Sequence, residues 1–178
     1  LPIWDISKKL PYSYESITLG LTCLNDLGLC QKVSEGTKSK IIQFSSKGKE
    51  LWDKAADYLI DPVEKRVYCD YLATESTFAK CNINALSHYT WLNPENSLML
   101  MMSRKELQGL ITEKVLHNMN EFDGNVMIEV WKYPVVAPLG NDNEWVDKLS
   151  LAISLRDDDD PRVEGEIERL INELKWKD

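Results

Sequence analysis

Glycine is scarce in this chain. Eight glycines occur in 178 residues, and no G-x-G-x-x-G or G-x-x-x-x-G-K-[ST] string is present. A loop that cradles phosphates is therefore not expected. The G-x-S-x-G string of a nucleophile elbow is also missing. Histidine is limited to His88 and His117, and cysteine to Cys23, Cys30, Cys69 and Cys81. No cysteine pair has the short spacing of a zinc ligand pair, so no metal and no cofactor are expected. Cys23 falls in an apolar helical pattern and reads as a small hydrophobe. All four thiols are read as reduced, which fits a cytoplasmic protein. No apolar run approaches the length of a membrane span. The longest, Leu98 to Met102, suits a buried strand. No cationic start followed by an apolar core is visible, so no leader is expected. The chain starts with Leu1 rather than methionine, which fits a natural start further upstream.

Arginine is missing from residues 1–60, which hold eight lysines against seven acids. Their balance is +1, whereas residues 61–178 balance at −9, giving −8 overall. An acidic chain is a poor general polyanion binder, because phosphate contacts need Lys and Arg. Only the first third is expected to face nucleic acid. Hydrophobic residues at 43% and charged residues at 28% are those of a folded globular protein. The length suits one large domain or two small ones.

Pro2 to Leu10 reads as a short helix with Ile3, Ile6 and Leu10 at helical spacing, ended by Pro11. Ser13 is an N-cap for a helix to about Leu27, striped by Ile17, Leu21, Leu24 and Leu27, with Gly28 as its C′ glycine. Leu29 to Ser34 and Ile41 to Phe44 then form a hairpin around Glu35-Gly36-Thr37. Ser46 is expected to cap another helix through Leu51, Trp52, Ala55, Leu59 and Ile60.

Later elements interleave. Val63 to Tyr71 is read as a strand. Asn82 is expected to cap a helix to Leu92, and Ser97 to Met102 forms an apolar strand. Ser103 and Glu106 make a capping box for a helix with Leu107, Leu110 and Ile111. Gly124-Asn125 turns the chain into a strand from Val126 to Val130. Asp142 or Asn143 caps a helix through Val146, Leu149, Ile153 and Leu155. Asp160-Pro161 opens a last helix striped by Val163, Ile167, Leu170, Ile171 and Leu174. The aspartates 157–160 lack the interleaved pattern of a calcium loop and are read as helix-capping charge. The last helix's stripe is expected to cover its own domain's sheet rather than a second copy. Trp52, Trp131 and Trp145 sit in apolar patterns and are read as core or interface residues.

The first segment resembles a winged helix-turn-helix of the bacterial MarR type. The likeness is carried by Ser16-Ile17-Thr18, by Leu24-Asn25-Asp26-Leu27-Gly28-Leu29 before a polar hairpin, and by Ser45-Ser46-Lys47-Gly48-Lys49-Glu50-Leu51-Trp52 after it. Three further strings resemble the effector half of such regulators, distantly similar to DNA-binding antitoxins of abortive-infection systems. They are Ile83 to Thr90, Glu129-Val130-Trp131-Lys132-Tyr133-Pro134, and Val146 to Leu151 continuing to Val163. The resemblance implies a transcription regulator that binds double-stranded DNA. It also implies a helix upstream of Pro2. The presumed recognition helix holds no Lys or Arg, so its opening residues Tyr12, Ser13, Tyr14, Glu15 and Thr18 are assigned to bases or phosphates. Backbone grip is assigned to Lys32, Lys38, Ser39 and Lys40, with Lys8 and Lys9 nearby.

Two constellations remain. On a helical wheel Asn84, His88 and Trp91 share a face and form a candidate ligand or partner site, weighed against an ordinary surface histidine. Glu129 and Lys132 invite comparison with metal-dependent nucleases, but an E-x-x-K spacing on a strand sends the two side chains to opposite faces. The expected fold class is thus α+β or α/β. A winged helix-turn-helix DNA-binding domain occupies residues 1–61, and a mixed α/β domain at 62–178 senses, dimerises or contacts a protein. The expected protein is a homodimeric regulator and not an enzyme. The alternative is an antitoxin-like adaptor that works through protein contacts.

Overall fold

Ser13 and Gly28 set the limits of the longest helix near the N-terminus. In the computed structural model, which describes residues 2–35, 39–74, 76–134 and 144–176, that helix is α2 (Tyr14–Asp26). The Ser13 hydroxyl accepts the Ser16 N–H at 3.1 Å, filling one orphan donor of the first turn. At the other end Gly28 takes φ +71°, a left-handed conformation that favours glycine. There the Gly28 N–H reaches the Asn25 carbonyl and the Leu29 N–H reaches that of Leu24, both at 2.9 Å. This is a Schellman closure, and it turns the chain straight into the next strand.

The chain divides into two units, one of Leu1–Leu59 with Lys175–Asp178 and one of Ile60–Leu174. The boundary expected at residues 61 and 62 lies close to this, but the C-terminal segment groups with the first unit. Its Trp176 ring lies 6.2 Å from that of Trp52, and it sits so close over Gly48 that a Cβ there would meet it at 3.0 Å.

The first unit begins with α1 (Ile3–Lys9) and α2, followed by an antiparallel hairpin of β1 (Cys30–Glu35) and β2 (Ser39–Phe44). Pro2 adds an isolated antiparallel bridge to Ile41 on β2. Helix α3 (Gly48–Ala55) and a 3-10 turn (Ala56–Tyr58) complete it. Ser46 does not cap α3. Lys47 holds the cap position, and the Ser46 hydroxyl instead donates to Glu50 Oε1 at 2.9 Å. A cap residue has to present its oxygen to the first turn's N–H groups, and here a carboxylate one turn on has claimed the hydroxyl. The core is small: Ile3, Ile17, Leu21, Cys30 and Ile42 are buried, with Ile6 and Leu24 against them.

The second unit is mixed α+β. Its main sheet has the order β3 (Val63–Cys69), β7 (Val126–Trp131), β5 (Leu98–Met102), with β3 antiparallel and β5 parallel to the central β7. Two-residue strands β4 (Tyr71–Leu72) and β6 (Leu116–His117) pair separately. Helix α5 (Arg104–Thr112) packs on one face, where Leu107 and Leu110 meet Val67, Leu100, Val126, Ile128 and Val130. The other face is covered by α4 (Asn82–Tyr89), α6 (Lys148–Ser154) and α7 (Pro161–Asn172), which bring Ala85, Leu86, Leu151, Val163 and Leu170 to Val63 and Trp131. A strand covered on both faces reads as a continuous apolar run, and every residue of β7 is buried. The α7 stripe is therefore spent on its own unit. Gly124 is obligatory before β7, because a Cβ there would lie 2.5 Å from the Cys69 carbonyl oxygen.

Capping chemistry fits the Ser103–Glu106 box and the Asp160-Pro161 start. The caps expected for α4 and α6 are not the ones found. Asn82 is the first residue of α4, at φ +52°, and Cys81 holds the cap position. The helix ends at Tyr89, short of Leu92. For α6 the cap is Asp147, whose Oδ1 accepts the Ser150 N–H at 2.9 Å; Asp142 and Asn143 lie outside the described residues. Among the described residues no helix is long and apolar enough to cross a membrane.

Candidate functional site

The residues assigned to DNA fall into three groups. Tyr12, Ser13, Tyr14 and Glu15 are exposed at the start of α2. Thr18 is not among them. It is half-buried, and its Oγ1 is enclosed with no hydrogen-bond partner, because the stripe that carries Ile17 and Leu21 inward draws it along. Leu19, 68% exposed, projects in its place. Lys32 is half-buried too, with its ammonium donating to the Thr22 hydroxyl, so it ties β1 to α2. Lys38 lies outside the described residues, and Ser39 and Lys40 are described only as backbone of β2. Lys8 sits 5.0 Å over the Trp4 ring, while Lys9 is exposed.

Asn84, His88 and Trp91 do not form one site. Asn84 is buried. Its Oδ1 accepts the Met99 N–H at 2.9 Å and its amide donates to the Glu95 carbonyl at 3.4 Å, which fastens the approach to β5. His88 is exposed and stacks on Trp145, with centroids 4.2 Å apart and planes within 1°. Trp91 is 81% exposed. The wheel grouped the three by angle alone, and the segment that leads into β5 covers Asn84 only.

Glu129 and Lys132 also part. Lys132 donates to the Asp61 carbonyl at 2.9 Å, whereas Glu129 is 0% exposed at the centre of the second unit. Its Oε1 accepts Arg66 Nε at 3.0 Å and Asn82 Nδ2 at 2.8 Å, and its Oε2 accepts Trp131 Nε1 at 3.1 Å. A buried carboxylate is tolerated only when paired and hydrogen-bonded in this way. The cluster joins β3, β7 and α4. It also explains Asn82, whose amide is turned to Glu129 while its own oxygen accepts the Ile83 N–H at 2.8 Å. Burial, together with the neighbouring Glu129 charge, pushes the Cys81 thiol well up, which makes it a poor nucleophile. Sequence reading missed this cluster. Its one local signal is a single acid in the otherwise apolar run Val126 to Trp131.

The network fixes an indole and a helix start, and it engages both oxygens of the carboxylate. Among the described residues no three His, Cys, Asp or Glu side chains converge to hold a metal. Of the four aspartates, Asp160 caps α7 and pairs with Arg162 at 2.6 Å, and Asp158 accepts the Asp160 N–H at 2.9 Å. In comparisons with protein-family models, curated proteins and solved structures, nothing matches this chain.

Proposed function

We propose that the first unit is a winged helix-turn-helix that binds double-stranded DNA, and that the chain is a transcription regulator. One observation carries the reading. Pro2 bridges β2 at Ile41, so the order is strand contact, helix, four-residue turn, helix and antiparallel hairpin. In that order the second helix presents its first turn to a groove, and the hairpin flanks it. The exposed Tyr12, Ser13, Tyr14 and Glu15 stand at that first turn. The charge of residues 1–60 is only +1, so a single copy binds weakly, and a two-fold dimer on a symmetric site is the working form.

A selection over random duplex DNA with the whole chain tests this. An enriched site is expected, and Tyr14→Ala should change its sequence more than it changes non-specific affinity. Lys38→Ala with Lys40→Ala should weaken all sequences alike and lower the salt slope by about one per lost contact. The adaptor reading is favoured by apolar side chains left in water on the same unit, Trp4 at 61% and Leu19 at 68% exposure. No enriched site and no salt-dependent affinity would decide for it.

A further inference from the structure

The second unit holds a cleft that the DNA reading does not use. Strands β5 and β7 run parallel and end side by side, at Met102 and Trp131, where α5 begins. The crevice outside the carboxyl ends of parallel strands is where sheets of this kind collect ligands. A cleft of about 760 Å³ lies there, lined by Met101, Ser103, Lys105, Glu106, Trp131, Lys132, Tyr133 and Pro134. That volume is in the range of small-molecule sites.

Its wall is chiefly carbon: a thioether, a phenol ring and a proline ring, over an indole that is only 3% exposed. Its charges are not balanced. Glu106 is committed, with Oε2 accepting both the N–H and the hydroxyl of Ser103 at 2.7 Å. Lys132 gives one hydrogen to the Asp61 carbonyl at 2.9 Å and keeps two. Lys105 is exposed, with no hydrogen-bond or ion-pair partner among the described residues. In a unit whose sequence is strongly acidic, the cleft is lined by two lysines and one glutamate, a balance of one positive charge. The floor is also fixed in advance, because Glu129 holds the Trp131 indole by its N–H at 3.1 Å and is itself held by Arg66 and Asn82. Such an arrangement loses little freedom on binding.

We propose that this cleft binds a small aromatic monoanion, with a carboxylate at Lys105 and Lys132 and a planar ring against Met101, Tyr133 and Pro134. One net positive charge selects a monoanion over a dianion. Ring and thioether contacts select an aromatic body over a sugar or a peptide. The proposal stands on the second unit alone and is independent of whether the first unit binds DNA.

The test uses naphthoate and its neutral isostere naphthamide on the whole chain, by titration calorimetry. Methyl-labelled methionine NMR reports location, with the Met101 resonance assigned from Met101→Leu. Naphthoate should bind at least about tenfold tighter than naphthamide, the size of one charge-assisted hydrogen bond in a half-open site. Lys105→Gln, a surface change, should lower naphthoate affinity about tenfold and leave naphthamide alone. Lys105→Gln combined with Lys132→Gln should abolish the preference, and naphthoate should shift the Met101 methyl. Equal binding of acid and amide would overturn the proposal. So would affinity indifferent to both lysines, a Met101 methyl unmoved while other methionines respond, or no binding of naphthoate up to its solubility limit.

Discussion

The two units solve the same problem with unequal means. The first buries five apolar side chains in one small cluster and leaves Trp4, Leu10, Tyr12, Tyr14, Leu19, Leu27, Val33, Phe44 and Tyr58 in water. Its described ion pairs are helical neighbours, Lys49 with Asp53 and Lys54 with Glu50. Pairs of that kind are exposed and screened by solvent, so each contributes little. The second unit fills both faces of a sheet and closes a polar centre with bonds from Glu129 to residues 63 and 47 positions away. The difference implies unequal stability, and the thiols can report it. Cys30 is buried in the first unit, Cys69 and Cys81 in the second, and Cys23 is exposed. Under rising denaturant Cys23 should label at once, Cys30 next, and Cys69 with Cys81 last.

The largest effect is expected at Glu129. Glu129→Ala leaves the Arg66 charge and the Asn82 and Trp131 donors without their acceptor. Removing one partner of a buried pair costs about 3–5 kcal/mol. Arg66 is 41% exposed and can turn to water, so the low end, about 3 kcal/mol, applies. Cys81 should then label at clearly lower denaturant while Cys30 is unmoved. An unchanged Cys81 midpoint would show that the polar centre adds nothing to the second unit's advantage.

Leu21→Ala is the next largest. It deletes a central side chain from the first unit's only described core, at a cost of about 2–3 kcal/mol. Because that core is small, the loss should bring Cys30 labelling close to that of Cys23, with Cys69 and Cys81 unaffected. If all three buried thiols shifted together, the units would be melting as one and the comparison would fail.

Features that rest on neighbouring residues were legible in the sequence. The Schellman closure at Gly28, the Ser103–Glu106 box and the Asp160-Pro161 start each need only a few adjacent side chains and the backbone. Misreadings came where a distant partner outbid the local one. Asn82 reads as a cap by type, yet a carboxylate 47 residues on takes its amide. Asn84 reads as a surface neighbour of His88, but the backbone N–H of Met99 claims it. Thr18 and Lys32 are expected DNA contacts by position; the Thr18 hydroxyl is enclosed without a partner, and Lys32 is bonded across to Thr22 of α2. Glu129 shows both sides. An acid alone in an apolar strand announces that something must pair with it, but nothing in the sequence says that Arg66 is among its partners.

The smallest effect concerns acid. Arg104 beside Glu64 holds that carboxyl below the usual carboxylate range, chiefly through its hydrogen bond, at 2.6 Å for the closest pair. Arg162 lowers Asp160 and Lys80 lowers Glu144 in the same way, all in the second unit. A folded-state value below the unfolded one means that stability is present above the unfolded value, about 4.3 for Glu, and is lost as pH falls through the folded one. Glu64 and Asp160 are half-buried, but their partners Arg104 and Arg162 are exposed, so the pairs are screened and the effect is slight. Glu64→Gln isolates it. Near neutrality the variant should label at Cys69 at slightly lower denaturant than the parent, and as the pH falls through the lowered folded-state range of Glu64 the two curves should converge, since the parent's Glu64 is then losing its charge too. Salt should narrow the gap at neutrality, because the pair lies at the surface. A gap that widened on acidification would reverse the sign of the coupling and remove surface pairing from the account of why the second unit is the stronger.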